Sequence, residues 1–73
     1  MRSPMTREEL ITKRKRMRLT QAELATALGM GRRRIVQFEA RDPARRAPIP
    51  RVVELAIAEL ERQHAGRDAR VEP

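Results

Sequence analysis

The chain has no cysteine, no tryptophan and no tyrosine, and Phe38 is its single aromatic residue. Without cysteine there are no disulfides and no thiolate metal sites, a composition that fits a reducing compartment. With one aromatic side chain, single-stranded bases have almost no platform on which to stack. No apolar run is long enough to span a bilayer, and the N-terminus lacks the apolar region of a secretion signal. A cytoplasmic protein with no membrane partner is expected. The core must be aliphatic, and in 73 residues it must also be thin.

What is abundant is positive charge. Lys and Arg number 17 against 10 Asp and Glu, a formal charge of +7. The sequence pI is about 11.6. Such an excess favours polyanionic partners. Only Lys13 and Lys15 are lysines; the other basic residues are arginines, whose planar fork suits phosphate and guanine.

Residues Met1 to Met5 read as a short arm. Thr6 and Glu9 form a capping-box pair, with Met5 and Leu10 at the staple positions, so a helix is predicted from Arg7 to Met17. Its basic run from Lys13 to Arg16 includes Lys15 and Arg16, which read as solvated charge. Thr20 with Glu23, and Leu19 with Leu24, repeat both devices for a second helix, Gln21 to Leu28. Leu24, Ala25 and Leu28 share one face, and Ala25 is short enough for a close helix crossing.

Gly29 suits a left-handed helix end, and Gly31 is a tolerable N-cap for a third helix from Arg32 to Ala40. Ile35 and Phe38 are expected inside, with Arg32, Arg33, Val36 and Gln37 outside and Arg34 on the flank. Arg41 to Pro48, RDPARRAP, reads as a loop. A fourth helix is predicted from Pro50 to Gln63, since proline is favoured in a first helical turn. Its apolar residues Val52, Val53, Leu55, Ala56, Ile57 and Leu60 cover an arc wider than the roughly 100° a one-sided helix needs. One face should therefore pack in the core and another should meet a partner. Residues 64–73 are polar and aperiodic, and read as a disordered tail.

Two helices around a glycine corner, the second opening with Arg32, Arg33 and Arg34, form the pattern of a helix-turn-helix whose second helix enters the DNA major groove. The helix N-terminus already favours anions, so three cations there are unfavourable until a polyanion arrives.

TQAELATALGMG followed by RRRIVQFEA resembles the helix-turn-helix of lambdoid phage repressors, Cro proteins and their bacterial relatives, the XRE family. The likeness covers Thr20 to Ala40 closely and the first and fourth helices loosely. It implies an all-α, compact four-helix, lambda-repressor-like DNA-binding domain. The short length and the Ile-Pro before the last helix resemble compact autorepressors of phage and mobile-element operons, including regulators that accompany anti-CRISPR genes. The resemblance implies a DNA phosphate contact at Gln21, base contacts at Arg32, Arg33 and Gln37, and an ion pair between Arg14 and Glu39. Two departures limit it. Arginines stand where relatives often carry Gln, Ser or Thr, so a base preference does not carry over. The chain has four helices where many relatives have five, so neither does their dimer interface.

The expected base-reading residues are thus Arg32, Arg33 and Gln37. Backbone contacts are expected at Gln21, Gly31, Arg34, Arg41, Arg45 and Arg46. Val53, Leu55, Ile57 and Leu60 are expected to supply a homodimer interface through the fourth helix, with either Ile57 or Leu55 lining it.

No nucleophile–base pair, metal cluster or phosphate loop can be assembled, and His64 stands alone near a helix end. No enzyme activity, cofactor, metal or small-molecule ligand is expected. The expected function is a dimeric, sequence-specific repressor on an inverted-repeat operator in double-stranded DNA. An antitoxin that represses its own operon and a protein or RNA interaction module are the alternatives.

Overall fold

The computed structural model describes the backbone of residues 5–71 and the side chains of residues 5–65. These residues form four helices and no strand: α1 (Arg7–Arg16), α2 (Gln21–Leu28), α3 (Arg32–Phe38) and α4 (Arg51–Val71). Of the expected N-terminal arm, residues 1–4 lie outside the described residues. Met5 packs against the core, and its N–H donates to Glu54 Oε2 at 3.0 Å.

Both capping boxes are formed. Thr6 accepts from the Glu9 N–H at 3.1 Å while the Thr6 N–H donates to Glu9 Oε1 at 2.8 Å. Thr20 and Glu23 repeat the same two bonds at the start of α2. Each box satisfies donors that a helix start leaves without partners.

The ends of α1 and α2 share one geometry. After α1, the Arg18 N–H reaches the Lys15 carbonyl at 2.9 Å, and the Leu19 N–H reaches Arg14 at 3.2 Å. After α2, the Gly29 N–H reaches Thr26 at 3.1 Å, and Met30 reaches Ala25 at 2.8 Å. Both are Schellman closures, which need one left-handed residue. In α2 that residue is Gly29, φ 70°; in α1 it is Arg18, φ 61°.

The core gathers Leu10 and Met17 from α1 and its end, Leu24 and Ala25 from α2, Ile35 and Phe38 from α3, and Ile49, Val53 and Ile57 from α4 and its approach. Leu19, Leu28, Met30, Ala47 and Leu60 pack around it. Every buried side-chain polar atom among the described residues has a hydrogen-bond partner.

α4 departs from the sequence reading at both ends. Its first intrahelical bonds run from Val53 and Glu54 to the Pro50 carbonyl, so Pro50 precedes the helix rather than opening it. At the far end the helix continues to Val71, so 64–71, read as part of a disordered tail, is helical. Residues 72–73 lie outside the described residues. α3 is shorter than expected, ending at Phe38 rather than Ala40. Among the described residues no helix is long and apolar enough to cross a membrane.

Candidate nucleic-acid interface

α3 has seven residues, and its sequence sorts cleanly by face. At about 100° per residue, Ile35 and Phe38 fall on one side, and both are buried. Arg32, Arg33, Arg34, Val36 and Gln37 are exposed. Arg33 points most directly away from the core, Val36 and Gln37 flank it about equally, and Arg32 and Arg34 lie toward the two edges of the exposed face. Gly31 caps the helix with extended backbone, φ −78°, and no side-chain hydrogen bond. Neither its φ nor its surroundings demand glycine, since a Cβ there would meet nothing within 4 Å. Gly29 differs: its positive φ is a conformation that L side chains rarely adopt.

So short a helix needs external support, and Glu39 supplies it. Its Oε2 accepts from Arg14 Nε at 2.6 Å, and its Oε1 accepts from Arg14 Nη2 at 2.9 Å. Oε1 also accepts from Gln21 Nε2 at 3.0 Å. Arg14 Nη1 donates to the Leu19 carbonyl at 2.9 Å. One nearly buried carboxylate thus ties α1, the start of α2 and the end of α3 together. The Gln21 amide, expected on a phosphate, has one N–H engaged by this carboxylate and a second not so held.

Two further arginines close the end of α3. Arg7 Nε donates to the Glu39 carbonyl at 2.7 Å. Arg46 donates from Nε to the Ala40 carbonyl at 2.9 Å and from Nη2 to the Arg41 carbonyl at 2.7 Å. Cations at a helix C-terminus interact favourably with its dipole and satisfy its orphan carbonyls. Arg46, read from sequence as a DNA backbone contact, is therefore first a brace of the chain just after α3.

The loop that follows is ordered by its own chemistry. Asp42 accepts the Ala44 N–H on its side chain at 2.9 Å and the Arg45 N–H on its carbonyl at 2.9 Å. Asp followed by proline is the preferred opening of such a turn. Arg41 and Arg45 stand exposed on either side of it. Neither their side chains nor those of Arg32, Arg33 and Arg34 have a hydrogen bond or ion pair among the described residues.

The interface residues expected on α4 separate. Val53 is 5% exposed and Ile57 is fully buried, so both belong to the core. Leu60 packs against the core. Leu55 is exposed, as is Val52, which was not among the four. The wide apolar arc thus resolves into a core face and a short outer strip. Glu59 and Arg62 continue that outer face as an ion pair.

Glu8 and Glu59 have shifted titration, both outside this region. Glu8 lies below its ordinary value because a backbone hydrogen bond favours its charged form, with Arg7 adding a smaller pull. Glu59 is lowered by hydrogen bonds from Arg62 and Gln63. Among the described residues, no group of three His, Cys, Asp or Glu could hold a metal ion.

Arg7 and Arg18 escaped the sequence reading. The bond from Arg7 joins residues 32 apart, and no local pattern encodes it. Arg18 did carry a signal, its position between a helix end and the next N-cap. No protein-family model, no curated protein and no solved structure matches the chain.

Proposed function

We propose that α2, the corner at Gly29–Gly31 and α3 act as a lambda-repressor-like helix-turn-helix, and that the protein is a sequence-specific double-stranded DNA-binding repressor. The observation that carries this reading is the set of five exposed arginines, 32, 33, 34, 41 and 45, whose side chains have no partner among the described residues, around one short, braced helix. Other cations do pair within the protein, Lys13 with Glu61 and Arg14 with Glu39, while Lys15, Arg16 and Arg18 on and after α1 stand exposed like the five.

Roles follow from position. Arg32 and Arg33 take guanine O6 and N7, and Gln37 takes adenine. Arg34, Arg41 and Arg45 hold phosphates, and Gly31 and Gln21 offer N–H groups to the same backbone. Phe38 is 1% exposed, so the one aromatic ring offers no face for single-stranded bases. Occupancy of a promoter would repress transcription without an inducer site. The exposed pair Val52 and Leu55 is the surface through which two copies would join on an inverted repeat, the arrangement expected of a compact autorepressor in a phage or mobile-element operon.

The test is footprinting on the duplex upstream of the protein's own gene, with unrelated duplex as competitor. A discrete protected site that survives competition supports the proposal. Binding that competitor removes equally at all positions would overturn it.

A further inference from the structure

Val36 is the one apolar residue among the five exposed positions of α3. It is 39% exposed and takes no part in the core. The fold gains little from it, since a β-branched residue is a slightly poor helix former and a polar one would serve an outward face better. Its place is specific. Val36 follows Arg32 by four residues and Arg33 by three, so its side chain stands one helical turn beyond both guanidinium groups, on their side of the helix.

We infer that Val36 is a specificity-determining residue that packs against the 5-methyl group of a pyrimidine in the major groove. This deepens the DNA-binding reading above and rests on it. The thymine methyl is the apolar feature of the major-groove edge, while the other edges present hydrogen-bond donors and acceptors. A valine opposite the cytosine or adenine amino group would leave that donor unpaired, so it rejects those bases as well as welcoming the methyl. One helical turn rises about 5.4 Å and one base step about 3.4 Å, so the methyl should lie about one to two base pairs from a guanine held by Arg32 or Arg33. The recognised half-site would thus couple a G·C pair with a nearby T·A pair.

Thymine and 5-methylcytosine carry the same methyl group, and the test separates them. A bound site is first selected from random duplex with the full chain. Each thymine is then replaced singly by deoxyuridine, which removes only the methyl. At the sensitive position, a C·G pair is compared with its 5-methylated form. Affinity of the natural protein should fall about fourfold for a single deoxyuridine, the effect of one buried methyl. Val36→Ala, which should fold with unchanged helical content, should bind thymine and deoxyuridine sites within about 1.5-fold of each other. Tighter binding to the methylated C·G pair than to the plain one would show that the methyl is read on either pyrimidine. A preference for thymine alone would show that the rest of the base pair is read as well.

A selected site in which no thymine methyl matters, or in which Val36→Ala loses as much as the natural protein, overturns the inference and leaves the DNA-binding reading standing. Failure to enrich any sequence overturns both.

Discussion

Arg14 and Glu39 meet through two parallel hydrogen bonds, Nε to Oε2 at 2.6 Å and Nη2 to Oε1 at 2.9 Å, with their side chains 12% and 6% exposed. A fork-on-fork pair of this kind fixes direction as well as distance. Here it also satisfies Gln21 and the Leu19 carbonyl, so four chain segments depend on it. Breaking a buried pair by removing one partner typically costs about 3–5 kcal/mol, because the other charge is left stranded. Glu39→Ala should therefore destabilise by that amount, enough to unfold much of so small a domain. Arg14→Lys keeps the charge but loses the fork, and should be intermediate. Urea unfolding of both single variants and the double variant would show a coupling of at least about 1 kcal/mol; additive effects would mean that the pair does not act as a unit.

The left-handed positions predict opposite substitutions. Arg18 has φ 61° and Gly29 has φ 70°, in the same closure at the ends of α1 and α2. An L side chain in that region is disfavoured by roughly 1–2 kcal/mol. Gly29→Ala should lower stability by about 1 kcal/mol, and Arg18→Gly should raise it by about 0.5–1 kcal/mol once the extra freedom of unfolded glycine is counted. Thermal unfolding checks both. A destabilised Arg18→Gly would mean that the arginine side chain contributes more than its backbone costs.

These residues show what the sequence discloses and what it hides. Thr6 with Glu9, Thr20 with Glu23, and Gly29 act within a few positions of themselves, so their spacing alone located helix ends. Arg46 could be read only as loop charge, because its partners are backbone carbonyls that any residue carries. Val53, Ile57 and Leu55 are alike as residue types, and only the crossing of α4 over the other helices decides which turn inward. The extension of α4 to Val71 was hidden for another reason. Residues 64–71 lack apolar periodicity, and helix formation there continues a turn pattern already nucleated upstream, at no further nucleation cost. At the candidate interface, the exposure of the α3 arginines was legible from period 3.6, while the lack of side-chain partners among the described residues was not.

The proposed DNA contacts should divide by readout. Arg32→Ala and Arg33→Ala should each weaken a specific site by about 1–3 kcal/mol and relax base preference locally, with helical content unchanged. Gel-shift titration against single-base variants of the footprinted site is the measurement. If both variants discriminate bases as the natural protein does, α3 does not lie in the groove.

Arg45 and Arg46 are adjacent, yet their variants should behave differently. The Arg45 side chain has no partner among the described residues, so Arg45→Ala should leave stability alone and reduce the salt slope of DNA binding by about 1 for one lost phosphate contact. Arg46 holds two carbonyls just after α3, so Arg46→Ala should also lower stability, by about 0.5–1.5 kcal/mol. Unfolding curves and salt titrations on the same two proteins decide it. An identical pair of phenotypes would mean that the brace carries no weight in solution.

The outer strip of α4 is the last feature to predict from. Val52 is 70% exposed and Leu55 is 52% exposed, and the outer face then changes to the Glu59–Arg62 ion pair. Two side chains make a small contact, so a dimer built on them should be weak in free solution and tighten when two copies share one operator. A two-fold arrangement would set two α3 helices about 34–36 Å apart, matching half-sites one turn apart on one face of the duplex. Leu55→Glu places a charge at the centre of that contact without touching the core. It should leave the unfolding midpoint nearly unchanged, bind a single half-site as the natural protein does, and lose the gain in affinity on the full inverted repeat. Ile57→Ala instead removes a buried side chain and should cost about 2–5 kcal/mol of stability. Sedimentation at micromolar concentration, paired with titrations on half and full sites, separates these cases. If Leu55→Glu binds the full operator as tightly as the natural protein, the two copies do not meet through α4.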